Sequence, residues 1–335
     1  MCRKSFDPLK PILVEFVGEE GNNTGGLLRE LWRLSLWSLF KGSNFFHDLP
    51  DAKIPLHNLH ALQSGHFKKI GQLLGLSLLQ GGSGVQCLAP CIYNYIAGVD
   101  LHDLQPAIHH IPDSDVRELA FRIDKASGEE LLGLMSDPSI GVQLVDAGYT
   151  KPITHINDAT KKEAVKTLAL HHCILSVKTE LDKLCEGMTV GGIRDCIQKH
   201  PQAFRKCFIA GELEPLTADT VRDLFETKVF SEKGCNEWQK EKAAYMHFLS
   251  LLDACEDVQV EISLGDVLAF FTSSDKIPLL GFPNKAVMQF TQIGIYPTVS
   301  TCSITLTLPT IHEDFSAFAS HFIEAVRGHN GFGKV

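Results

Sequence analysis

The sequence predicts an α+β protein in which a large, mainly helical N-terminal body precedes a small module of helices and strands. Apolar side chains recur at helical spacing through most of the first 255 residues, whereas polar and apolar residues alternate strictly over residues 303–308. Between these regions, residues 228–237 (KVFSEKGCNE) are mostly polar and contain a glycine. We therefore expect two lobes, residues 1–235 and residues 236–335.

The N-terminal body is predicted to begin with a short strand at Ile12–Val17, followed by a polar turn that contains glycine. Thr24 is a suitable cap for the next helix, because its side-chain oxygen can accept a backbone hydrogen bond. The apolar face of this helix consists of Leu27, Leu28, Leu31, Trp32, Leu34 and Leu39. A further apolar helix over Phe67–Leu78 is predicted to stop at the glycines that begin with Gly81.

The later part of the body is also predicted to be helical. Thr160 and Glu163 have the spacing of a capping box, and the apolar positions after them predict a helix that continues through Leu184. Two more helices are predicted over residues 217–225 and 238–255.

The C-terminal module is predicted to combine both kinds of element. Ser263 and Asp266 again have capping-box spacing, and strand-like segments follow between residues 287 and 308. A final helix is predicted from about Asp314 to Gly328. In the alternating segment, the residues expected to face a core are Ile304, Leu306 and Leu308.

Composition limits the classes of function. The 335 residues are 44% hydrophobic and 21% charged, which is typical of soluble globular proteins. A net charge of −9 disfavours nucleic acid or an anionic membrane as the main partner. The longest apolar stretch, Ile70–Leu79, is about half a membrane span, and the N-terminus has no signal-peptide pattern. We expect a cytoplasmic or nuclear protein.

The ten cysteines are predicted to be reduced thiols, because no C-x-x-C pair or disulfide-framework spacing is present. His172 and the adjacent pair His109 and His110 are interpreted as neutral histidines of the core or its boundary. No glycine-rich segment has the residues that hold nucleotide phosphates. We therefore expect no cofactor, no structural zinc site and no other metal.

Cys302 stands immediately before the alternating segment, and Pro297, Thr298, Ser300 and Thr301 precede it. Proline and hydroxyl side chains favour a defined loop over a continuing strand. A thiol on such a loop would be oriented and accessible, and it becomes a nucleophile if nearby groups stabilise its thiolate. The alternative is a plain structural cysteine, which is the commoner fate of a free thiol.

The segment Pro297–Cys302, followed by Leu306, Leu308 and Pro309, closely resembles the acceptor loop and next strand of HECT-domain ubiquitin ligases. In that family the cysteine takes ubiquitin as a thioester from a charged ubiquitin-conjugating enzyme and passes it to a lysine amine. Other landmarks occur in family order along the chain; they are Phe16–Leu31 (FVGEEGNNTGGLLREL), Ile70–Gly82, Phe270–Phe282 and Phe332.

The resemblance implies a bilobal HECT-like fold with a mainly helical N-lobe, a mobile hinge near residue 235 and a small α/β C-lobe. It also implies a subdomain for the conjugating enzyme at about residues 200–235, although residues 203–230 match the family only loosely. The implied partners are the charged conjugating enzyme, ubiquitin and a protein substrate. Because the chain begins almost at the first strand of such a domain, we expect either a fragment or substrate choice by partner proteins.

The resemblance implies that Cys302 is the thioester nucleophile. Thr301 and Ser300 are candidates for supporting the oxyanion, and shaping the loop is an equally good interpretation. Phe332 is expected to support transfer, with packing into its own core as the alternative. No base for the lysine amine is assigned: Asp314, Glu313 and His312 are near in sequence without a matching motif. Thr310 stands where many family members have an acidic residue.

Two other functions are compatible with the sequence. The first is a non-catalytic HECT-like module that binds ubiquitin or its conjugating enzyme without transfer. The second is a cysteine hydrolase in which Cys302 pairs with His312 or His321.

Overall fold

The computed structural model describes residues 7, 9–15 and 25–329, and these form two compact units, each built from separate stretches of the chain. The first unit includes Ser38–Leu79 and Gly84–Leu213. The second includes Lys10–Trp37, Gln80–Ser83 and the residues from Glu214 onward. The mixed α+β class is confirmed, because the described chain is mostly helical with a small C-terminal sheet.

The first unit is mainly helical. The last four residues of helix α1 (Gly26–Lys41), from Ser38 onward, belong to this unit. A two-stranded antiparallel sheet follows, made of β1 (Phe46–Asp48) and β2 (Lys53–Pro55). The remaining helices are α2 (Leu59–Gln63), α3 (His66–Leu79), α4 (Pro90–Ile96), α5 (Ser114–Lys125), α6 (Gly128–Met135), α7 (Pro138–Asp146), α8 (Lys161–Cys173), α9 (Lys178–Gly187), α10 (Ile193–Lys199) and α11 (Pro201–Phe208). Short 3-10 turns occur at Ile108–His110, Ile153–His155, Leu175–Val177 and Val190–Gly192.

Glycines allow α3 and α9 to pack closely in this unit. A Cβ on Gly71 would collide with the carbonyl oxygen of Leu184, and a Cβ on Gly187 would collide with that of Lys68. The glycines of the apolar segment that begins at Ile70 therefore serve helix packing.

The second unit places a four-stranded sheet among helices. Its elements after Glu214 are α12 (Ala218–Asp223), β3 (Phe225–Lys228), α13 (Asn236–Glu256), α14 (Leu264–Thr272), β4 (Ala286–Thr291), β5 (Thr298–Ser300), β6 (Thr305–Pro309) and α15 (Phe315–His329). The strand order is β3-β4-β6-β5, with β3 and β6 parallel to β4 and with β5 antiparallel to β6. The core of the unit includes Phe248, Phe271, Ile304, Leu306, Leu308, Phe318 and Phe322.

Most of the local predictions are confirmed. The α1 and α3 helices form as expected, and Ser263 and Asp266 make the full capping box of α14. The alternating segment forms β6 from Thr305 onward, whereas Ser303 and Ile304 belong to the preceding turn. The side chains of Ile304, Leu306 and Leu308 are fully buried, as expected. Among the described residues, no helix combines the length and apolar character needed to cross a bilayer.

Three local predictions are wrong. Residues 12–15 of the strand predicted at Ile12–Val17 do not form a strand, and residues 16 and 17 lie outside the described residues; β propensity alone does not make a strand. The single helix predicted from Thr160 through Leu184 is interrupted at Ile174, whose φ of −125° and ψ of −58° depart from helical values. Thr160 does not cap α8, because its hydroxyl bonds instead with the N–H of Asn157 and the carbonyl of His155.

The limits of the lobes remain predictions. The compact units separate between Leu213 and Glu214, and Lys10–Trp37 belongs to the second unit. The segment proposed to receive the conjugating enzyme, residues 200–235, includes α11, α12 and β3 and is therefore shared between the units.

Candidate functional site

Cys302 lies on the turn between β5 and β6. The two strands are antiparallel, with Val299 opposite Leu306 and Ser300 opposite Thr305, so residues 301–304 form the end of a hairpin. The Cys302 side chain is half-buried. Ile304 has a left-handed φ of 53°, and its side chain returns to the core with no exposed surface. The turn therefore places Cys302 near its tip, and the buried side chain of Ile304 anchors it.

Three backbone carbonyls of this turn accept hydrogen bonds from outside it. The Nη2 of Arg29 donates to the Thr301 oxygen at 2.5 Å, and the Nδ2 of Asn284 donates to the Cys302 oxygen at 3.2 Å. The backbone N–H of Val287 donates to the Ile304 oxygen at 2.9 Å. The backbone at Cys302 is thus held through its own carbonyl and through the carbonyls of Thr301 and Ile304.

Arg29 is a buried cation at this turn, with only 6% of its surface exposed. Its Nε donates to the carbonyl of Thr272 at 2.6 Å, and its guanidinium carbon lies 5.9 Å from the ring centre of Phe282. Burial lowers the pKa of Arg29, and negative charge on Cys302 acts in the opposite direction. Since an arginine remains protonated at neutral pH, Arg29 is a permanent positive charge near the thiol.

Gly26, the first residue of α1, allows the helix to approach the turn. A Cβ at this position would collide with the Oγ1 of Thr301 and lie 3.1 Å from its Cβ. Only glycine leaves room for this contact. The Gly-Gly-x-x-Arg-Glu sequence carried the signal for Gly26 and Arg29, but nothing in the sequence alone indicated that they lie against the Cys302 turn.

The hydroxyl groups proposed to support an oxyanion make contacts within the site. The Oγ of Ser303 donates to the Oγ of Ser300 at 2.8 Å and lies 2.9 Å from the Oγ1 of Thr305. The Oγ1 of Thr301 faces the backbone of α1 at Gly26. These contacts are those of groups that shape a loop, so they favour that interpretation for Ser300 and Thr301.

Several other cysteines are poor nucleophiles. Burial raises the pKa of Cys185, Cys207 and Cys255 to about 11, and a hydrogen bond with Cys91 together with burial raises the pKa of Cys173. Such thiols stay protonated at neutral pH. The described cysteines with exposed surface besides Cys302 are Cys87, Cys196 and Cys235.

The histidines and carboxylates that follow the turn have structural partners. The Nε2 of His312 donates to the carbonyl of Ile295 at 2.8 Å, and the Nδ1 of His321 donates to that of Ala317 at 2.9 Å. The Oδ1 of Asp314 accepts the N–H of Ala317 at the start of α15. These contacts give no support to a hydrolase that uses either histidine.

Thr310 and Phe332 are two further residues that the sequence indicated. The buried Thr310 donates through its hydroxyl to the carbonyl of Thr291 at 3.2 Å. Phe332 lies outside the described residues.

The histidines interpreted as core or boundary residues differ in exposure. Burial lowers the pKa of His172, which is half-buried, and of His110, which is buried. His109 is exposed.

Comparison with known proteins gives a family match over residues 34–334, to the HECT-domain (ubiquitin-transferase) family. The chain is 24% identical over 311 residues to a G2/M phase-specific E3 ubiquitin-protein ligase of Macaca fascicularis, and this covers 91% of the chain and 41% of that protein. It is 26% identical over 275 residues to the protein of the same name from Gallus gallus, covering 81% and 34%. A TOM1-like E3 ubiquitin-protein ligase of Neurospora crassa is 24% identical over 367 residues, covering 98% and 8%. The chain therefore spans 41% or less of the length of these relatives.

Proposed function

Because the chain belongs to the HECT-domain (ubiquitin-transferase) family, we propose that it is a ubiquitin ligase that carries ubiquitin as a thioester on Cys302. The observation that supports this most directly is the position of Cys302, half-buried on a turn whose carbonyls accept hydrogen bonds from Arg29, Asn284 and Val287. An acyl relay requires a thiol of this kind, oriented by the fold and open to a donor.

The proposed reaction has two steps. The Cys302 thiolate attacks the carbonyl carbon of the thioester on the conjugating enzyme; the new S–C bond forms, the old S–C bond breaks, and the donor cysteine leaves as a thiolate. A neutral lysine amine of the substrate then attacks the same carbonyl. The amide forms, the nitrogen loses a proton, and Cys302 leaves as a thiolate. Because one thioester replaces another in the first step, positioning is the main contribution required of the protein.

The proposal also includes the partners, the supporting residues, the movement of the lobes and the location of the protein. The partners are a charged conjugating enzyme, ubiquitin and a protein substrate, with residues 200–235 as the site for the conjugating enzyme. Ser300 and Thr301 support the acceptor loop, and Phe332 supports transfer. The lobes of residues 1–235 and 236–335 would move about a hinge near residue 235, which lets one thiol meet the donor and then the lysine. The proposed location is the cytoplasm or nucleus.

The test is incubation of the chain with activating enzyme, a panel of conjugating enzymes and ubiquitin, followed by electrophoresis with and without reductant. We expect a ubiquitin adduct that reductant removes and that is absent in Cys302→Ala. Cys196→Ala is the matched control, because Cys196 is also accessible, and it should retain the adduct. Free lysine added after the conjugating enzyme is quenched should discharge the adduct.

Other outcomes separate the remaining functions. Complex formation with the charged conjugating enzyme but no adduct with any member of the panel would indicate a binding module. Release of free ubiquitin without transfer to lysine would indicate a hydrolase. An adduct that persists in Cys302→Ala would place the nucleophile elsewhere.

A further inference from the structure

Arg29 is a buried charged side chain that contacts the turn of Cys302 and that precedes the family match, which begins at residue 34. Burying a charged side chain is costly unless polar groups surround it, and cations of this kind are retained where they have a function or a strong set of partners. The described partners of Arg29 are two backbone carbonyls and an aromatic ring.

The guanidinium of Arg29 connects two separate segments. One N–H reaches the carbonyl of Thr272 at the end of α14, and another reaches the carbonyl of Thr301 beside the nucleophile. The guanidinium is planar with donors in fixed directions, so two such bonds define the position of one carbonyl relative to the other. A lysine, with one flexible ammonium group, would not fix both.

Three described partners of Arg29, the carbonyls of Thr272 and Thr301 and the ring of Phe282, are neutral. The other ionisable groups on nearby segments include two ion pairs, Glu30 with Arg33 and Lys285 with Glu226. The remaining ones are Asp275 and Lys276 after Thr272, and His312, Glu313 and Asp314 after β6.

We propose that Arg29 is the positioning residue of the acceptor loop, which it holds through the Thr301 carbonyl while its charge stabilises the thiolate of Cys302. Negative charge on Cys302 favours the protonated form of Arg29, and the same attraction acts reciprocally on the thiolate. The proposal deepens the proposed function, since it concerns the nucleophile of that reaction.

The test measures alkylation of Cys302 by iodoacetamide as a function of pH, with the modified residue identified by mass spectrometry. Removing a neighbouring cation disfavours the thiolate, so for Arg29→Gln we expect the midpoint of the rate profile to move upward and the rate near neutral pH to fall about tenfold. Arg29→Lys keeps the charge but not the two fixed bonds, and it should restore most of the rate at low pH. The wild-type midpoint should be unchanged in Arg33→Lys, a substitution one turn later on the same helix.

Alkylation separates this proposal from a structural role. If Arg29→Gln lowers the melting temperature but leaves the midpoint unchanged, the stabilisation of the thiolate by Arg29 is wrong. If Arg29→Lys reacts as fast as wild type at high pH, the positioning role is wrong. Should Arg29→Gln fail to fold, the Arg29→Lys profile decides, because a loop that has lost both fixed bonds should react more slowly than wild type at high pH. The assay requires no ubiquitin, so its result does not depend on whether the thioester test succeeds.

A second inference concerns the first unit, where Asp51, His109 and His110 converge. The Nε2 of His109 lies 3.5 Å from the Oδ2 of Asp51, and the Nε2 of His110 lies 3.5 Å from the Oδ1. One ligand atom from each residue lies within 4.8 Å of the others. Asp51 and His109 are exposed, whereas the His110 side chain is 6% exposed and provides a fixed anchor.

Both separations are longer than ordinary hydrogen bonds, and the two histidines approach different oxygens of the Asp51 carboxylate. A hydrogen bond between such atoms is usually about 2.7–3.2 Å long. Two atoms that bind one tetrahedral Zn²⁺ at about 2.1 Å lie about 3.4 Å apart. The geometry points to a site for a borderline divalent cation such as Zn²⁺, which takes imidazole nitrogen and carboxylate oxygen and would leave one position for solvent.

Such a site would connect the turn between β1 and β2, which contains Asp51, to the 3-10 turn Ile108–His110. A matched comparison exists in the cluster of Asp100, His102 and Asp103. All three of these residues are exposed, so they have no buried anchor.

The test uses chelator-treated, fully reduced protein titrated with Co²⁺ and followed by visible absorption. We expect d–d bands of tetrahedral nitrogen and oxygen coordination, without the near-ultraviolet band of a thiolate ligand. Asp51→Asn and His109→Ala should each weaken binding about tenfold or more, and both positions are exposed, which favours normal folding. His102→Ala should bind as wild type. Equal affinity in all four proteins, or a thiolate band, would overturn the proposal.

Discussion

The side chain of Arg29 donates a hydrogen bond to the backbone carbonyl of Thr301, 272 residues later in the chain. This bond places a cation from α1 beside the residue that precedes Cys302. The same helix approaches Thr301 through Gly26. The acceptor loop is therefore held by a helix as well as by its own strands.

The loop hydroxyls are expected to shape the turn. Since Ser303 donates to Ser300, Ser300→Ala and Ser303→Ala break the same bond, and both should slow adduct formation by no more than about threefold. Loss of an oxyanion donor instead costs about 10²–10³. Single-turnover formation of the thioester checks this, and a slowing of about a hundredfold in Ser300→Ala alone would establish the oxyanion interpretation.

Gly26→Ala is expected to displace the acceptor loop, because the added Cβ collides with Thr301. Overpacking of this kind usually destabilises by about 1–3 kcal/mol. Denaturant unfolding and the rate of Cys302 alkylation measure the two effects. Gly133→Ala is the control: nothing lies within 4 Å of its added Cβ, so an alanine within α6 should stabilise by about 0.5–1 kcal/mol. Unchanged stability in Gly26→Ala would contradict the close contact.

Ser263→Ala should destabilise the second unit by about 1 kcal/mol, because it removes the side-chain acceptor for the N–H of Asp266. Ser127 precedes α6 without making a capping bond, so Ser127→Ala should have little effect. Unfolding of both variants in urea provides the comparison. Equal losses would mean that the capping bond at Ser263 contributes nothing specific.

Cys255 should make stability fall in alkaline solution. Burial, with a smaller contribution from Asp266, raises its folded pKa from 9.0 to about 11. The contribution is complete below pH 9 and is lost as pH rises towards 11, because the unfolded thiol ionises first. Between pH 8 and pH 10.5 the wild type should lose about 1–2 kcal/mol more than Cys255→Ala, measured by denaturant unfolding. Parallel losses in the two proteins would show that this thiol is not responsible.

The local part of the fold could be read from the sequence. The periodic leucines of α1 and α3, the capping box at Ser263 and the alternation in β6 are interactions between residues close together in the chain. A local sequence pattern gives a wrong prediction where the same side chain has two possible hydrogen-bond partners, as at Thr160. Its hydroxyl is used within the preceding turn and is not available to cap α8.

The sequence by itself determined the helices and strands with a regular apolar pattern, and it indicated Cys302 through the residues around it. Only the tertiary structure decided that residues 12–15 do not form a strand, that Arg29 and Gly26 contact Thr301, and that Asp51 lies near His109 and His110. The physical reason is that periodicity and capping depend on neighbours within a few residues. Strand pairing and the surroundings of a buried charge depend on segments that folding brings together from distant parts of the chain.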